Sequence, residues 1–178
     1  MDVTSHEGRF ANGAVTGAFA YAFGRMAEPE AEFAQMQAGG EDFVNPTEGG
    51  LRGCDRHGCG GYGASRAAGP HDGADYVSSP GQVVQSPVDG VVLRVSNPYA
   101  GDSRYSGLVV NSAGGHQVTV WYISPNAGVV GTTVYAGQGI GIAQNLGMRY
   151  SGITNHVHVR MHYGGQSVNP TTRIPTWP

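Results

Sequence analysis

The sequence has few charges, only two cysteines and no long apolar run. Charged residues make up 13% of the 178 residues, and the formal net charge is −3. A protein that follows a nucleic-acid backbone needs a basic surface, and this chain has no basic excess. Its hydrophobic fraction of 39% is too high, and its charge too low, for a largely disordered chain. These values predict one folded domain, with an extension, that does not bind nucleic acid.

The longest weakly polar stretch runs from Phe10 to Phe23 and is interrupted by polar residues and glycines. It is too short to cross a bilayer, which takes about 20 apolar residues, so we expect no membrane span. Asp2 and Glu7 stand where a secretory signal carries basic residues, so none is expected. This start is compatible with a chain that begins inside a longer parent.

Turn-forming residues are abundant, with 30 glycines and 10 prolines. Together with few helix formers, they predict short strands joined by tight turns, and so a mainly β fold. We expect an antiparallel sheet that is curled or stacked on itself into a compact, barrel-like core. Pro87-Val88-Asp89-Gly90 predicts a turn in which the glycine takes a positive φ. The expected strands are 83–85, 91–95, 108–111, 117–123, 140–143 and 157–161.

Composition divides the chain into three regions. Residues 1–26 alternate aromatic and small residues and predict a short, partly helical or irregular segment. Residues 27–50 are acidic and rich in glycine and predict a linker. Residues 51–178 contain all the predicted strands and are expected to form the domain.

The two cysteines lie in the segment Cys54-Asp55-Arg56-His57-Gly58-Cys59. This loop is short and contains glycine, so a disulfide can close it. Two alternatives stay open, namely free thiols or zinc ligation together with His57. A structural zinc site needs four ligands at short paired spacings, and the sequence has one such pair. We predict a disulfide between Cys54 and Cys59, and hence an oxidising compartment.

Two histidine motifs have the spacing of a metal site. In His71-Asp72-Gly73-Ala74-Asp75 an imidazole and a carboxylate flank a glycine, which we expect to allow a tight bend. In Asn155-His156-Val157-His158 both imidazoles face one side if the segment is a strand. Two nitrogens and one oxygen, from His71, Asp75 and His158, leave one position open for water, as in a catalytic zinc site. His156 is then free to transfer a proton or to stabilise an oxyanion.

The two histidine motifs belong to a series of six short sequence elements. In order along the chain these are His71-x-Gly73-x-Asp75-Tyr76, Pro87-Val88-Asp89-Gly90-Val91-Val92, Trp121-Tyr122-Ile123, Val134-Tyr135-Ala136-Gly137-Gln138, His156-Val157-His158 and Val168-Asn169-Pro170. In this order they resemble the lysostaphin-like (LytM-type) zinc endopeptidases, which cut peptide cross-links of bacterial peptidoglycan. The run 54–60 resembles chemotaxin-like domains of the same β fold, in which the cysteine pair is disulfide-bonded. The resemblance covers about residues 51 to 173.

The resemblance implies that Zn²⁺ is the cofactor and that its ligands are His71, Asp75 and His158. It also implies that His156 is one of two catalytic histidines. The second histidine of active members follows a Trp-Tyr-x element, and Ser124 stands at that place here.

Other side chains are candidates to replace the missing histidine. We expect the hydroxyls of Tyr122 and Ser124 to donate hydrogen bonds to an oxyanion, although neither can act as a base near neutral pH. His57 and His116 are possible substitute imidazoles from other loops. The walls of a peptide-binding cleft are expected to include tyrosines, namely Tyr76, Tyr105, Tyr122 and Tyr150.

The function that follows is cleavage of peptidoglycan peptides by a zinc endopeptidase. Residues 5–26 resemble the segment before the toxin in Rhs-type polymorphic effectors, which implies an interbacterial, type VI secretion-like toxin. The expected partners are a cognate immunity protein and a parent Rhs chain, and the expected location is the periplasm of a target bacterium. Two alternatives are a zinc-bearing module that recognises a wall or receptor ligand without cutting, and an interaction protein with a purely structural zinc.

Overall fold

The structure, a computed structural model, describes residues 41–66 and 69–177. The predicted segment 1–26 and most of the predicted linker lie outside these ranges. The described residues form twelve strands, which are β1 (Cys54–Asp55), β2 (Gly58–Cys59), β3 (Ala74–Val77), β4 (Val83–Gln85), β5 (Gly90–Ser96), β6 (Gly107–Ser112), β7 (His116–Trp121), β8 (Ile123–Pro125), β9 (Thr133–Val134), β10 (Gly139–Ala143), β11 (His156–Tyr163) and β12 (Gln166–Val168). Two 3-10 helices span Leu146–Met148 and Pro170–Thr172. None of the described segments is a helix long and apolar enough to cross a membrane.

All strand pairs in the described residues are antiparallel, which confirms the predicted mainly β, antiparallel fold. The largest sheet has the order β12-β11-β7-β6-β5-β9, and β3 pairs with β11. A smaller sheet has the order β4-β10-β8, and β1 pairs with β2 in a separate hairpin. Strand β11 therefore lies between β3 and β7, and both neighbours fix its position.

The core forms where side chains of the two larger sheets meet. Its residues are mostly valines and isoleucines because β-branched side chains pack well on a pleated surface. The fully buried members include Val84, Val92, Val110, Val120, Ile140 and Val157. Tyr76 is also fully buried, and its hydroxyl donates to the Ile174 carbonyl. Tyr76 is therefore a core residue and not a wall of a cleft.

The predicted strands are found within one or two residues of their expected ends, apart from residues 117–123. There the chain divides into β7 and β8 at Tyr122, which has a φ of 68°. Five further segments pair as strands although they were not predicted, namely β1, β2, β3, β9 and β12. The strands β9 and β12 are two and three residues long, too short to show an alternating pattern.

The segment Pro87–Gly90 passes from the smaller sheet to the larger one instead of closing a hairpin, since β4 and β5 belong to different sheets. Gly90 does not adopt the predicted positive φ. A Cβ atom at this position would lie 2.2 Å from the Asn111 carbonyl oxygen. Glycine is needed here because β6 approaches the backbone closely.

Residues 43–50, from the segment predicted as a linker, pack against the β domain. Phe43 forms a β-bridge with Val88 and contacts the core. The Val44 amide donates to the Pro87 carbonyl at 3.0 Å, and the Val77 amide donates to the Gly50 carbonyl at 2.9 Å. The folded unit thus includes residues before position 51.

Candidate metal centre

The candidate metal centre lies where β3 and β11 pair. Asp75 of β3 is directly opposite His158 of β11, and His71 precedes β3. The Nε2 atom of His71 is 3.0 Å from Nδ1 of His158 and 3.2 Å from Oδ1 of Asp75, and the last two atoms are 2.9 Å apart. All three side chains are buried. The predicted ligand residues are thus brought together in one small cluster.

Gly73 permits this cluster through close packing rather than through a bend. A Cβ atom at position 73 would lie 2.6 Å from two atoms of the His158 ring and 2.4 Å from the Val159 carbonyl oxygen. Its φ is not in the left-handed region. Any larger residue would push the His158 ring away from Asp75.

The donor set fits a zinc ion. Zinc–nitrogen and zinc–oxygen bonds of about 2.0–2.2 Å at tetrahedral angles place ligand atoms about 3.3 Å apart, close to the three distances in the cluster. The Nδ1 atom of His71 faces the Gly61 carbonyl at 2.9 Å and must donate to it, so Nε2 keeps its lone pair. Two imidazole nitrogens and one carboxylate oxygen are typical ligands of catalytic zinc.

The second oxygen of Asp75 is occupied by arginines. Arg52 donates to Oδ2 from Nε at 3.1 Å and from Nη2 at 2.9 Å, and Arg66 donates from Nη2 at 2.7 Å. These bonds leave Oδ1 as the atom that faces the histidines. Burial opposes ionisation of Asp75, but the hydrogen bond from His158 holds the pKa of its carboxyl well below the ordinary value. Asp75 is therefore a carboxylate at neutral pH.

His156 lies beside the cluster in the orientation expected of a proton acceptor. Its Nδ1 atom is 2.7 Å from the Thr154 carbonyl, which can only accept, so Nδ1 carries the proton. Its Nε2 atom is 3.6 Å from Oδ2 of Asp75. Burial lowers the pKa of His156 to about 4, although the Asp75 carboxylate opposes this shift. The imidazole is therefore neutral near pH 7, with a free lone pair on Nε2.

Tyr122 is the residue that faces His156 across the site. Its ring lies edge-on to the imidazole, with a centroid distance of 5.6 Å. It is the one residue other than glycine with a positive φ in the described part of the chain, a conformation that costs about 1–3 kcal/mol. The Tyr99 hydroxyl lies 3.1 Å from the Tyr122 hydroxyl, and burial raises the pKa of Tyr122. Tyr122 therefore keeps its proton and remains a hydrogen-bond donor.

A cleft of about 360 Å³ opens over the cluster. Trp121 stacks on the His158 ring at a centroid distance of 5.3 Å, and the Arg160 guanidinium lies over the Trp121 ring, 4.8 Å from its centre. The residues that line this cleft include His71, Asp75, His156, His158, Trp121 and Tyr122. The site is thus open to a ligand on one side and closed by the β domain on the other.

Three other predicted site residues lie elsewhere. Ser124 is exposed and lines a different cavity, together with Arg104 and Tyr105. His57 bonds to the Ser151 carbonyl at 3.0 Å. His116 lies at the far end of β7, where it pairs with Glu41 at 2.6 Å. None of these three lines the cleft.

The disulfide between Cys54 and Cys59 is present, as predicted. The two arginines on Asp75, by contrast, were not among the predicted site residues. The one available signal for Arg52 was its position two residues before Cys54. Trp121 belongs to the Trp121-Tyr122-Ile123 element, but no site role was predicted for it, and nothing in the sequence distinguished Arg66 from other surface residues.

A buried cluster of two histidines and an aspartate, with a neutral imidazole beside it and a cleft above it, has the composition of a metallopeptidase centre. Residues 69–170 match the protein-family model described as Peptidase family M23. The chain belongs to this family.

Similar proteins fall into two groups. Leukocyte cell-derived chemotaxin-2 of Bos taurus is 32% identical over 109 residues, which cover 61% of this chain and 71% of the bovine protein. An uncharacterized metalloprotease of Haemophilus influenzae is 31% identical over 107 residues, which cover 60% of this chain and 22% of that protein. The alignments thus include a family member whose name refers to chemotaxis as well as one named as a protease.

Two solved structures have the same fold. A zinc-containing peptidase from Vibrio cholerae superposes with a TM-score of 0.53 at 23% identity, over 73% of this chain and 40% of that one. The antimicrobial peptidase lysostaphin from Staphylococcus simulans superposes with a TM-score of 0.50 at 22% identity, over 72% of this chain and 54% of that one. At these identities the superpositions show the fold alone.

Proposed function

We propose that the chain is a zinc-dependent endopeptidase that cleaves peptide cross-links of bacterial peptidoglycan. The observation that carries this proposal is the triangle of donor atoms from His71, Asp75 and His158, with sides of 3.0, 2.9 and 3.2 Å, at the floor of an open cleft. Membership of family M23 supports the same reaction class.

His156 is the proton acceptor in this reaction. When bound, zinc supplies a water with a pKa of about 7 and polarises the scissile carbonyl. The Nε2 atom of His156, which has the free lone pair, lies 3.6 Å from Oδ2 of Asp75, and the bond from Nδ1 to Thr154 holds the ring in that tautomer. The imidazole takes the proton of the attacking water and then returns it to the leaving amine.

Tyr122 donates a hydrogen bond to the developing oxyanion. Its hydroxyl keeps its proton at working pH because burial raises its pKa. The bond to Tyr99 and the edge-on contact with His156 fix the ring before the substrate arrives. This role needs a donor and not a base, so a tyrosine can fulfil it.

We further propose that the enzyme acts as an interbacterial toxin in the periplasm of a target bacterium. Two features support this setting: residues 5–26, outside the described ranges, resemble the pre-toxin segment of Rhs-type effectors, and disulfides persist in oxidising compartments. The partners are then a peptidoglycan peptide, a cognate immunity protein and a parent Rhs chain of a type VI secretion-like system.

The test is digestion of purified peptidoglycan sacculi by the zinc-loaded full chain, with released peptides separated by chromatography. The expected result is new amino and carboxyl termini within the cross-links and no products with His158→Ala. His162→Ala, on the same strand but outside the cleft, is the matched control and is expected to retain activity. Absence of products from the wild type, or equal products from His158→Ala, would sink the proposal.

A second candidate function is a zinc-bearing module that binds a wall or receptor ligand without cutting it. The similarity to chemotaxin-2 and the presence of Tyr122, instead of a second imidazole, opposite His156 favour this candidate. Co-sedimentation of the chain with sacculi that remain uncleaved supports it, whereas zinc-dependent release of peptides excludes it.

A further inference from the structure

Asp55, in the disulfide-closed hairpin β1–β2, accepts three hydrogen bonds, one each from Arg52, His57 and Thr154. Its Oδ1 accepts from the His57 amide at 2.8 Å. Its Oδ2 accepts from Arg52 Nη1 at 2.8 Å and from the Thr154 amide at 2.9 Å. Arg52 bonds in turn to the metal-ligand carboxylate. Asp55 is thus connected to the candidate metal centre through Arg52, although it does not line the cleft.

Arg52 connects the two carboxylates. Its side chain is fully buried, with Nε and Nη2 on Asp75 and Nη1 on Asp55 and on the Gly58 carbonyl. A buried guanidinium needs compensation of its charge and of its donors, and here two carboxylates share that role. Because the guanidinium is planar and rigid, a rotation that breaks the bond to Asp55 also moves the nitrogen atoms that donate to Asp75.

The same carboxylate also fixes the segment that precedes β11. The Thr154 amide donates to Asp55, and the Thr154 carbonyl accepts from His156. Arg56 and His57, from the same hairpin, bond to the Ser151 carbonyl. The hairpin is itself held by the disulfide between its ends. One carboxylate on a cross-linked hairpin therefore supports both the metal-ligand side and the proton-acceptor side of the site.

We propose that Asp55 is a positioning residue of the metal centre, which sets the affinity of the His71, Asp75 and His158 cluster for zinc through Arg52. This inference rests on the metal-binding part of the proposed function and not on peptidoglycan cleavage. Partners of metal ligands commonly contribute a factor of about 10–100 to metal affinity.

The test measures the zinc dissociation constant of the full chain by competition with a chromophoric chelator. The variant is Asp55→Asn, which keeps an oxygen that can accept from the Thr154 amide but removes the charge opposite Arg52. We expect zinc binding to weaken about 10- to 100-fold and the visible absorption of the cobalt-substituted protein to change. Asp102→Asn is the matched control, because Asp102 also binds arginines and a backbone amide but has no bond to the cluster. It is expected to stay within about twofold of the wild type.

A double-mutant cycle separates positioning from a long-range charge effect. Arg52→Lys keeps a cation but lacks the planar fork that holds Asp75 and Asp55 together. If Asp55 acts through Arg52, Asp55→Asn weakens zinc binding far less in the Arg52→Lys background than in the wild type. An equal factor in both backgrounds, or zinc affinity within twofold for Asp55→Asn alone, overturns the proposal.

The outcome also distinguishes this inference from the proposed enzyme. Weaker zinc binding by Asp55→Asn in a protein that leaves sacculi intact supports the positioning role and rejects the hydrolase. A wild-type chain that binds no zinc rejects both.

Discussion

The two sides of the cleft are built in different ways. The ligand side, formed by His71, Asp75, His158 and the arginines on Asp75, is held by charge-assisted hydrogen bonds in buried surroundings. The tyrosine side, formed by Tyr99, Tyr122 and Tyr150, is held mainly by hydrogen bonds between neutral hydroxyls at 3.1 and 2.9 Å and by ring contacts, with Arg149 as a charged neighbour. Charge-assisted bonds are about twice as strong as neutral ones.

This difference separates two tasks. A metal centre needs its donor atoms fixed to within a few tenths of an ångström, and the ligand side provides that before any ion binds. In the proposed reaction the tyrosine side does not hold the ion and acts on the substrate. Changes to the ligand side are therefore expected to alter metal binding and folding, whereas changes to the tyrosine side are expected to alter turnover alone.

The largest effect is expected from Asp75→Ala. This change leaves the buried Arg52 guanidinium without the carboxylate that takes two of its bonds, which costs about 3–5 kcal/mol of folding free energy. Urea unfolding of the metal-free protein measures that cost. His71→Ala, which removes a ligand but no charge partner of an arginine, is the control and is expected to abolish zinc binding at a smaller cost in stability. Equal losses of stability in Asp75→Ala and His71→Ala would show that the pairing of Asp75 with Arg52 does not stabilise the fold.

Tyr122→Phe tests the tyrosine side. Loss of one oxyanion donor lowers kcat by about 10²–10³-fold, and we expect this reduction with an unchanged zinc dissociation constant. Steady-state cleavage of a soluble cross-link peptide measures the rate. Tyr62→Phe removes a hydroxyl that bonds to Ser167 outside the cleft and is the control. A change in zinc affinity with Tyr122→Phe would contradict the separation of the two sides.

The disulfide is expected to stabilise the ligand side by restricting the unfolded chain. Replacement of both Cys54 and Cys59 by serine removes the covalent link that closes this loop in the unfolded chain. From the chain-entropy relation we expect a loss of about 2 kcal/mol of folding free energy. Thermal and urea unfolding of the metal-free protein measure this loss. If Asp55 keeps its hydrogen bonds without the disulfide, we expect the zinc affinity at 25 °C to change little. The variant then separates the stabilising effect of the disulfide from the positioning role of Asp55.

Acid is expected to remove the contribution of Asp55. Burial of this carboxyl opposes ionisation, but bonds from the Thr154 and His57 amides and from Arg52 lower its pKa from 3.8 to about 2. A lowered pKa in the folded state stabilises the fold above the unfolded pKa, and this stabilisation is lost as pH falls towards 2. We expect wild type to exceed Asp55→Asn by about 1 kcal/mol at pH 6 and by almost nothing at pH 2. A difference that is independent of pH would contradict this assignment.

The smallest effect is expected from Ser124→Ala. The side chain is exposed and lines a cavity other than the cleft, so the rate and the zinc affinity are expected to stay within about twofold of the wild type. The comparison with Tyr122→Phe, measured on the same peptide, shows which of the two hydroxyls acts at the site. A large loss with Ser124→Ala would place the second catalytic group where the family pattern puts it.

The sequence predicts the proximity of His71, Asp75 and His158 because these residues are tied to local patterns. His156 and His158 share a face by the two-residue period of a strand, and the glycine of the first motif sits between His71 and Asp75. The reason for Gly73 was nevertheless different, since close approach of the His158 ring and not a bend requires it.

The position of Tyr122 was less predictable because it depends on one backbone angle. A regular strand continued through this segment would have placed Tyr122 and Ser124 on the same face. The positive φ of Tyr122 ends β7, and the Ser106 carbonyl accepts both the Tyr122 and the Ile123 amides. No residue type marks this break, because a tyrosine rarely adopts such an angle.

The packing of residues 43–50 on the domain has a practical consequence for anyone who shortens the protein. A version that starts at residue 51 would lose the β-bridge between Phe43 and Val88 and the amide bond from Val77 to Gly50. It would also uncover Val88, which is fully buried in the whole domain. An exposed strand edge next to an apolar surface favours aggregation. A soluble fragment for crystallisation or binding assays should therefore begin at or before residue 41.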